Sequence, residues 1–201
     1  MVKIGVLVSG GGTNLQCLID AIAHGELQAE ITAVVSSRPN AYALTRAANH
    51  GIASCCIRPK DFTDNTAYED ALIAYLREKD VDLVVFAGFL VLVTERFIQA
   101  FPGRIINVHP SLIPSFCGEG FYGLKVHEAA LQKGVKITGA TVHIVTADAD
   151  EGPILLQKAV DVLEGDTPET LQQRVMTEAE QVILPQAVRM FVGCKVQSHH
   201  A

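Results

Sequence analysis

Asn107 and His109 stand two residues apart in the segment Asn107-Val108-His109-Pro110-Ser111-Leu112-Ile113-Pro114. In extended backbone, residues two apart share a face, so both side chains can point to one side while Val108 packs behind them. Pro110 and Pro114 stop a sheet ladder and stiffen the exit loop. The amide can donate a hydrogen bond to an oxygen that becomes negative, and the imidazole can move a proton near neutral pH. That pairing suits attack on a carbonyl. An acid brought in from a distant segment would orient the imidazole and favour its cation; Asp150, in Asp148-Ala149-Asp150-Glu151-Gly152-Pro153, is the candidate. A plainer reading stands beside this one: a strand-end His is often just a hydrogen-bonded loop residue, and Asn before a turn is a common turn former.

A second group of residues speaks for an anion. Residues 3–8 form a β-branched run broken by Ser9-Gly10-Gly11-Gly12-Thr13-Asn14, and a helical pattern follows. N–H groups and the helix dipole converge there. A dinucleotide fingerprint starting at Gly10 needs a third glycine where the chain has Leu15, and the second strand ends in Ser36-Ser37-Arg38 rather than an acid. There is no GK[ST], so a nucleoside triphosphate loop is excluded. A phosphate monoester held by Gly12, Thr13 and Asn14 fits, as does a tight turn with no ligand.

These groups need a scaffold, and the rest of the pattern supplies one. Strands are expected at residues 3–8, 31–36, 52–57 and 81–87, alternating with helices after residue 14, at 41–50 and around Tyr68, Leu72 and Leu76. This alternation predicts an α/β, three-layer, doubly wound, mostly parallel sheet, with ligands at the carboxyl ends of its strands. After Pro102-Gly103 come a strand at 104–108, a helix at 125–132, and strands at 138–145 and 154–162 joined without a helix, hence an antiparallel element in the C-terminal half. Pro168 opens a long final helix that Pro185 should kink or restart. One domain, residues 1–201, is expected, with lobes at 1–100 and 101–193.

Composition narrows the function class. With 201 residues and 49% hydrophobic content the chain can bury about 70% of its unfolded surface without a metal or disulfide. A net charge of −6 argues against nucleic-acid partners. The opening residues are too short for a signal peptide, and the longest apolar run, 83–93, is too short to span a bilayer. Cys17, Cys55, Cys56, Cys117 and Cys194 are odd in number and lack CxxC spacing, as expected of reduced thiols in a cytoplasmic protein, with Cys117 a bystander near the site.

Four motifs in order, Val8-Ser9-Gly10-Gly11-Gly12-Thr13-Asn14-Leu15-Gln16, Ala87-Gly88-Phe89, Asn107 to Pro114, and Gly139-Ala140-Thr141-Val142-His143 followed by Asp150-Glu151-Gly152-Pro153, resemble the phosphoribosylglycinamide formyltransferases over nearly the whole chain. The resemblance implies a Rossmann-like formyltransferase fold and direct transfer of a formyl group from 10-formyltetrahydrofolate, a co-substrate, to the amine of 5'-phosphoribosylglycinamide in purine synthesis, with no metal. It implies that Asn107, His109 and Asp150 are catalytic, with Asn107 and protonated His109 stabilising the oxyanion and Asp150 supporting a proton relay. Gly12, Thr13, Asn14 and Glu178 would hold the ribonucleotide, though Glu180 stands open beside Glu178. Leu90, Val91, Leu92, Val93 and Thr146, with Asn107 and Asp150, would line the folate pocket.

Departures from the family pattern accompany it. Leu90-Val91 replaces a common Met-Arg and Asn65 a common Arg, leaving Arg58, Lys60 or Lys125 to compensate. His127 reads as structural, and His143 as packing, although the family pattern places it near the site. Methionyl-tRNA formyltransferase shares the core but needs an added RNA-binding domain and a positive surface, which an acidic chain ending this soon is not expected to have. Formyltetrahydrofolate hydrolase shares the Asn/His/Asp chemistry with water as nucleophile and usually carries an amino-terminal regulatory domain, which a first strand at Lys3 leaves no room for. A phosphate-sensing module would have no reason to unite Asn107, His109 and Asp150. Small-molecule substrates are therefore the expected partners, with neither nucleic acid nor membrane; a monomer and a homodimer are both compatible.

Overall fold

The computed structural model describes residues 1–192, so Cys194 and the end of the expected 101–193 lobe lie outside the described residues. Seven strands form one sheet: β1 (Val2–Val8), β2 (Ala29–Ser36), β3 (Ser54–Cys56), β4 (Leu83–Phe86), β5 (Ile105–His109), β6 (Ile137–Ile144) and β7 (Ile154–Asp161). Their order is β3-β2-β1-β4-β5-β6-β7. The first five run parallel, β6 is antiparallel to β5, and β7 is antiparallel to β6. The reversal thus begins one strand earlier than the helix-free link between β6 and β7 alone predicts.

Strand faces follow the pleat. Ile4, Val6 and Val8 of β1 pack into one core with Leu15 and Leu18 of α1 (Thr13–Ala23), Ala43 and Ala47 of α2 (Tyr42–Asn49), Ala130 of α5 (Leu124–Lys133), Leu171 of α6 (Pro168–Val175) and Ile183 of α7 (Gln181–Arg189). Leu7 points the other way, into a core with Tyr68, Leu72 and Leu76 of α3 (Asn65–Glu78) and Phe97 of α4 (Glu95–Ala100). Burial on both faces is what the unbroken apolar runs of β1 and β4 require. Each fully buried Leu contributes about 1.5–3 kcal/mol relative to exposure.

Helix ends are set locally. Asp64 caps α3 by accepting from Ala67 N–H at 2.8 Å, and Thr167 and Thr170 form a reciprocal cap at α6, with Pro168 at its first turn. The final helical rod differs from expectation. Its irregularity is a π turn at Met176–Glu180, and Pro185 sits inside α7 without ending it. Proline leaves the Gln181 carbonyl without its usual N–H donor, and the Cys17 thiol donates to it instead at 3.1 Å. The short helix α4 has no counterpart in the sequence reading.

Candidate active site

Ile106 and Val108 of β5 pack into the first core, so Asn107 and His109 emerge on the opposite face of the sheet. Antiparallel pairing sets His143 of β6 directly across from Asn107, and Thr141 across from His109. The loop between β6 and β7 then folds back over this face and delivers Asp150. Two backbone features make that return possible. Asp150 takes a left-handed conformation, φ 60°, which Asp tolerates better than most side chains. Gly152 lies so close to the Ile144 carbonyl that a Cβ there would collide with it.

The carboxylate of Asp150 joins the group. Its Oδ2 lies 3.5 Å from His109 Nδ1 and accepts from the Gly118 N–H at 2.9 Å; its Oδ1 lies 3.4 Å from both His143 Nε2 and Asn107 Nδ2. His109 Nε2 is 2.9 Å from the Phe116 carbonyl, which can only accept, so this nitrogen carries a proton and Nδ1 is the nitrogen facing the acid. The same logic fixes His143: Nδ1 donates to the Ile144 carbonyl at 2.9 Å, leaving Nε2 to accept from Asn107 Nδ2 at 3.2 Å. His143 is therefore 2% exposed and also part of the site, where burial alone suggested packing. It aims the Asn107 amide. The 3.4 Å contact of that amide with Asp150 is long, leaving its second proton available to a better-placed oxygen.

Charge states follow from burial. Burial works to raise the Asp150 carboxyl, but the adjacent His143 and His109 rings and the Gly118 N–H together bring it down to about 2, so it is ionised at neutral pH. His109, 5% exposed, moves below the ordinary histidine range because desolvation outweighs the pull of Asp150 and the Phe116 carbonyl, with His143 adding to the desolvation effect. The two partners thus disagree, one lowered as if a cation were beside it and the other lowered by burial. The lowered value and the 5% exposure make the neutral imidazole the resting form at neutral pH. Cys117, its thiol pushed up by burial and then by Asp150, is a thiol rather than a thiolate.

All three groups line one cavity of about 650 Å³, within the range of small-molecule sites. Gly12, Thr13 and Asn14 also line it, where β1 runs into α1. Ser9 ties this loop to the strand exit after β4: its N–H donates to the Gly88 carbonyl at 3.0 Å and its Oγ accepts from Leu90 N–H at 2.9 Å. Val91 and Val93 anchor that exit in the second core while Leu90 and Leu92 are exposed, and all four line the cavity with Thr146.

The acid beside the glycine loop is Glu180, not Glu178. Glu180, 8% exposed, accepts from Asn14 Nδ2 at 2.7 Å, whereas Glu178 is exposed and outside the cavity. The π turn sets this register, since five residues rather than four span the turn. Burial raises the Glu180 carboxyl against the lowering effect of Asn14. No Lys or Arg lines the cavity among the described residues. None of the three basic residues open to compensate for the absent arginines lines it: Arg58 is held by Asp61 through two hydrogen bonds, Lys125 donates to the Tyr122 hydroxyl at 3.2 Å, and Lys60 is not a lining residue. Among the described residues no His, Cys, Asp or Glu group is arranged to hold a metal, and no helix is long and apolar enough to cross a membrane.

Residues 2–188 match the formyl transferase family. The phosphoribosylglycinamide formyltransferase of Haemophilus influenzae is 39% identical over 95% of this chain and 87% of its own length. The human trifunctional purine biosynthetic protein adenosine-3 is 39% identical over 97% of this chain, but the chain spans only 19% of that protein. A solved structure, glycinamide ribonucleotide transformylase 1 from Symbiobacterium toebii, superposes with a TM-score of 0.89 at 46% identity, covering 95% of this chain and 87% of its own.

Proposed function

From the membership of this chain in the formyl transferase family, as a phosphoribosylglycinamide formyltransferase, we propose that it transfers a formyl group from 10-formyltetrahydrofolate to the amine of 5'-phosphoribosylglycinamide. The observation that carries this reading is the meeting of Asn107, His109 and Asp150 on one wall of a cavity whose other wall is the glycine loop. Residues 1–100 would serve the phosphate and residues 101–193 the folate and the chemistry.

In the proposed reaction the substrate amine adds to the formyl carbon, charge builds on the formyl oxygen, and the bond to the donor nitrogen breaks once that nitrogen gains a proton. Asn107 Nδ2 donates to the developing oxyanion. His109 enters neutral, takes up the proton that the adding amine gives up, and as a cation beside the ionised Asp150 returns it through water to the leaving nitrogen. Asp150 holds the water that carries the amine's proton to the leaving nitrogen. Leu90 to Val93 present backbone polar groups to the pterin, and their apolar side chains with Val145 keep bulk water away.

The purified protein is expected to release the folate product from 10-formyltetrahydrofolate only when the amine is supplied, with matching formation of formylated product. Equal folate release without the amine identifies a hydrolase and refutes the transferase reading.

A further inference from the structure

We propose that Arg46, which does not line the substrate cavity, is the residue that aims the glycine loop's N–H groups at the substrate phosphate. The inference rests on the reading of that loop as the phosphate site and adds the part that positions it. A peptide group is planar and trans, so fixing where a carbonyl points also fixes the following N–H, which points the opposite way. Two carbonyls of the loop are fixed from one side, by α2. The Ala43 N–H donates to the Gly10 carbonyl at 3.2 Å, and Arg46 Nε donates to the Gly11 carbonyl at 2.9 Å.

The N–H groups of Gly11 and Gly12 must therefore face away from α2, toward the cavity that Gly10 to Asn14 line. From Gly11 to Asn14 none of these N–H groups donates to a backbone carbonyl among the described residues, and Thr13 and Asn14 begin α1, whose dipole adds to the same focus. Gly12 takes φ 71°, and a Cβ there would meet the Cβ of Ala43, so the loop lies directly on α2.

Arg46 is itself held in place. Its Nη1 donates to Gln16 Oε1 at 3.1 Å, and its guanidinium lies 5.0 Å from the centroid of the Tyr42 ring. A guanidinium suits this post because its rigid fork can serve Gly11 and Gln16 together while its charge sits behind the loop. With no Lys or Arg on the cavity wall among the described residues, this cation acts on the phosphate through the peptide groups it orients.

The test compares 5'-phosphoribosylglycinamide with its phosphate-free ribonucleoside. Arg46→Ala is expected to raise KM for the phosphorylated substrate about tenfold, the worth of one charge-assisted hydrogen bond, while kcat, the KM for the folate donor and turnover of the ribonucleoside stay within about twofold. Arg46→Lys, which can still donate to the Gly11 carbonyl, is expected to recover most of the loss. If alanine costs the fold, Arg46→Met keeps the stem packed on Gly12 and allows the same comparison. Equal losses on both substrates, or none on either, overturn the role of Arg46 while the phosphate reading survives. Wild-type protein that uses both substrates equally well refutes the phosphate reading itself.

Discussion

The imidazole of His143 shows how a residue can be both packed and chemically engaged. Its Nδ1–H is committed to a backbone carbonyl, so in the neutral ring the other nitrogen accepts, and what it accepts is the amide of Asn107. Asn107→Ala is expected to cut kcat about a hundredfold, as loss of an oxyanion donor does. His143→Ala should cost about tenfold, and the double variant little more than Asn107→Ala alone, because the two act as one unit. Additive losses in kcat would separate them. His127 poses the opposite case. It is 0% exposed with both ring nitrogens lacking a partner among the described residues, and burial followed by the charge of His109 lowers it to about 4. The unfolded chain takes up this proton near the ordinary value of about 6.5 and the folded chain only near 4, so stability falls as pH drops through that window, by up to about 3 kcal/mol. His127→Leu should flatten the fall, measured as urea midpoints from pH 7 to 4; an unchanged slope would assign the acid lability to other groups.

At the scale of elements, the site depends on a loop that crosses a sheet face. Gly152→Ala pushes a methyl into the Ile144 carbonyl, so it is expected to lower stability by about 1–3 kcal/mol and to reduce kcat by moving Asp150. A variant with wild-type Tm and turnover would show that the loop can shift without cost. Much of this architecture was legible in the chain. The β-branched runs of β1, β2 and β4 and the apolar spacing of α1 and α3 reflect burial on both sheet faces, a constraint strong enough to mark single residues. The pairing of β5 with β6 left no such mark, because registry between strands is a property of two segments at once; with it went the position of His143. The choice of Glu180 over Glu178 was hidden for a related reason: one extra residue in a helical turn rotates everything after it without changing the local composition. Asn107, His109 and Asp150 were readable from residue chemistry and family pattern, whereas the neutral resting state of His109 follows from burial that only the fold supplies.

At the scale of the whole molecule, a chain of net charge −6 with no cation on its cavity wall among the described residues offers an anionic substrate little attraction from afar. Under the proposed reading, recognition is left to short-range peptide dipoles. Raising ionic strength from about 20 to 200 mM is therefore expected to leave kcat/KM level or slightly higher, since salt screens the repulsion between like charges. A severalfold fall would reveal a basic approach path. The fold also spreads the cavity's lining along the chain, from Gly12 near one end to Glu180 near the other, and Asp150 comes last of the three groups Asn107, His109 and Asp150. On a ribosome, a growing chain that has emerged through β5 already has the glycine loop and the Asn/His pair, but lacks Asp150. Under the proposed reading such a chain has no carboxylate to finish the relay, so the hairpin that closes the sheet is also what arms the site.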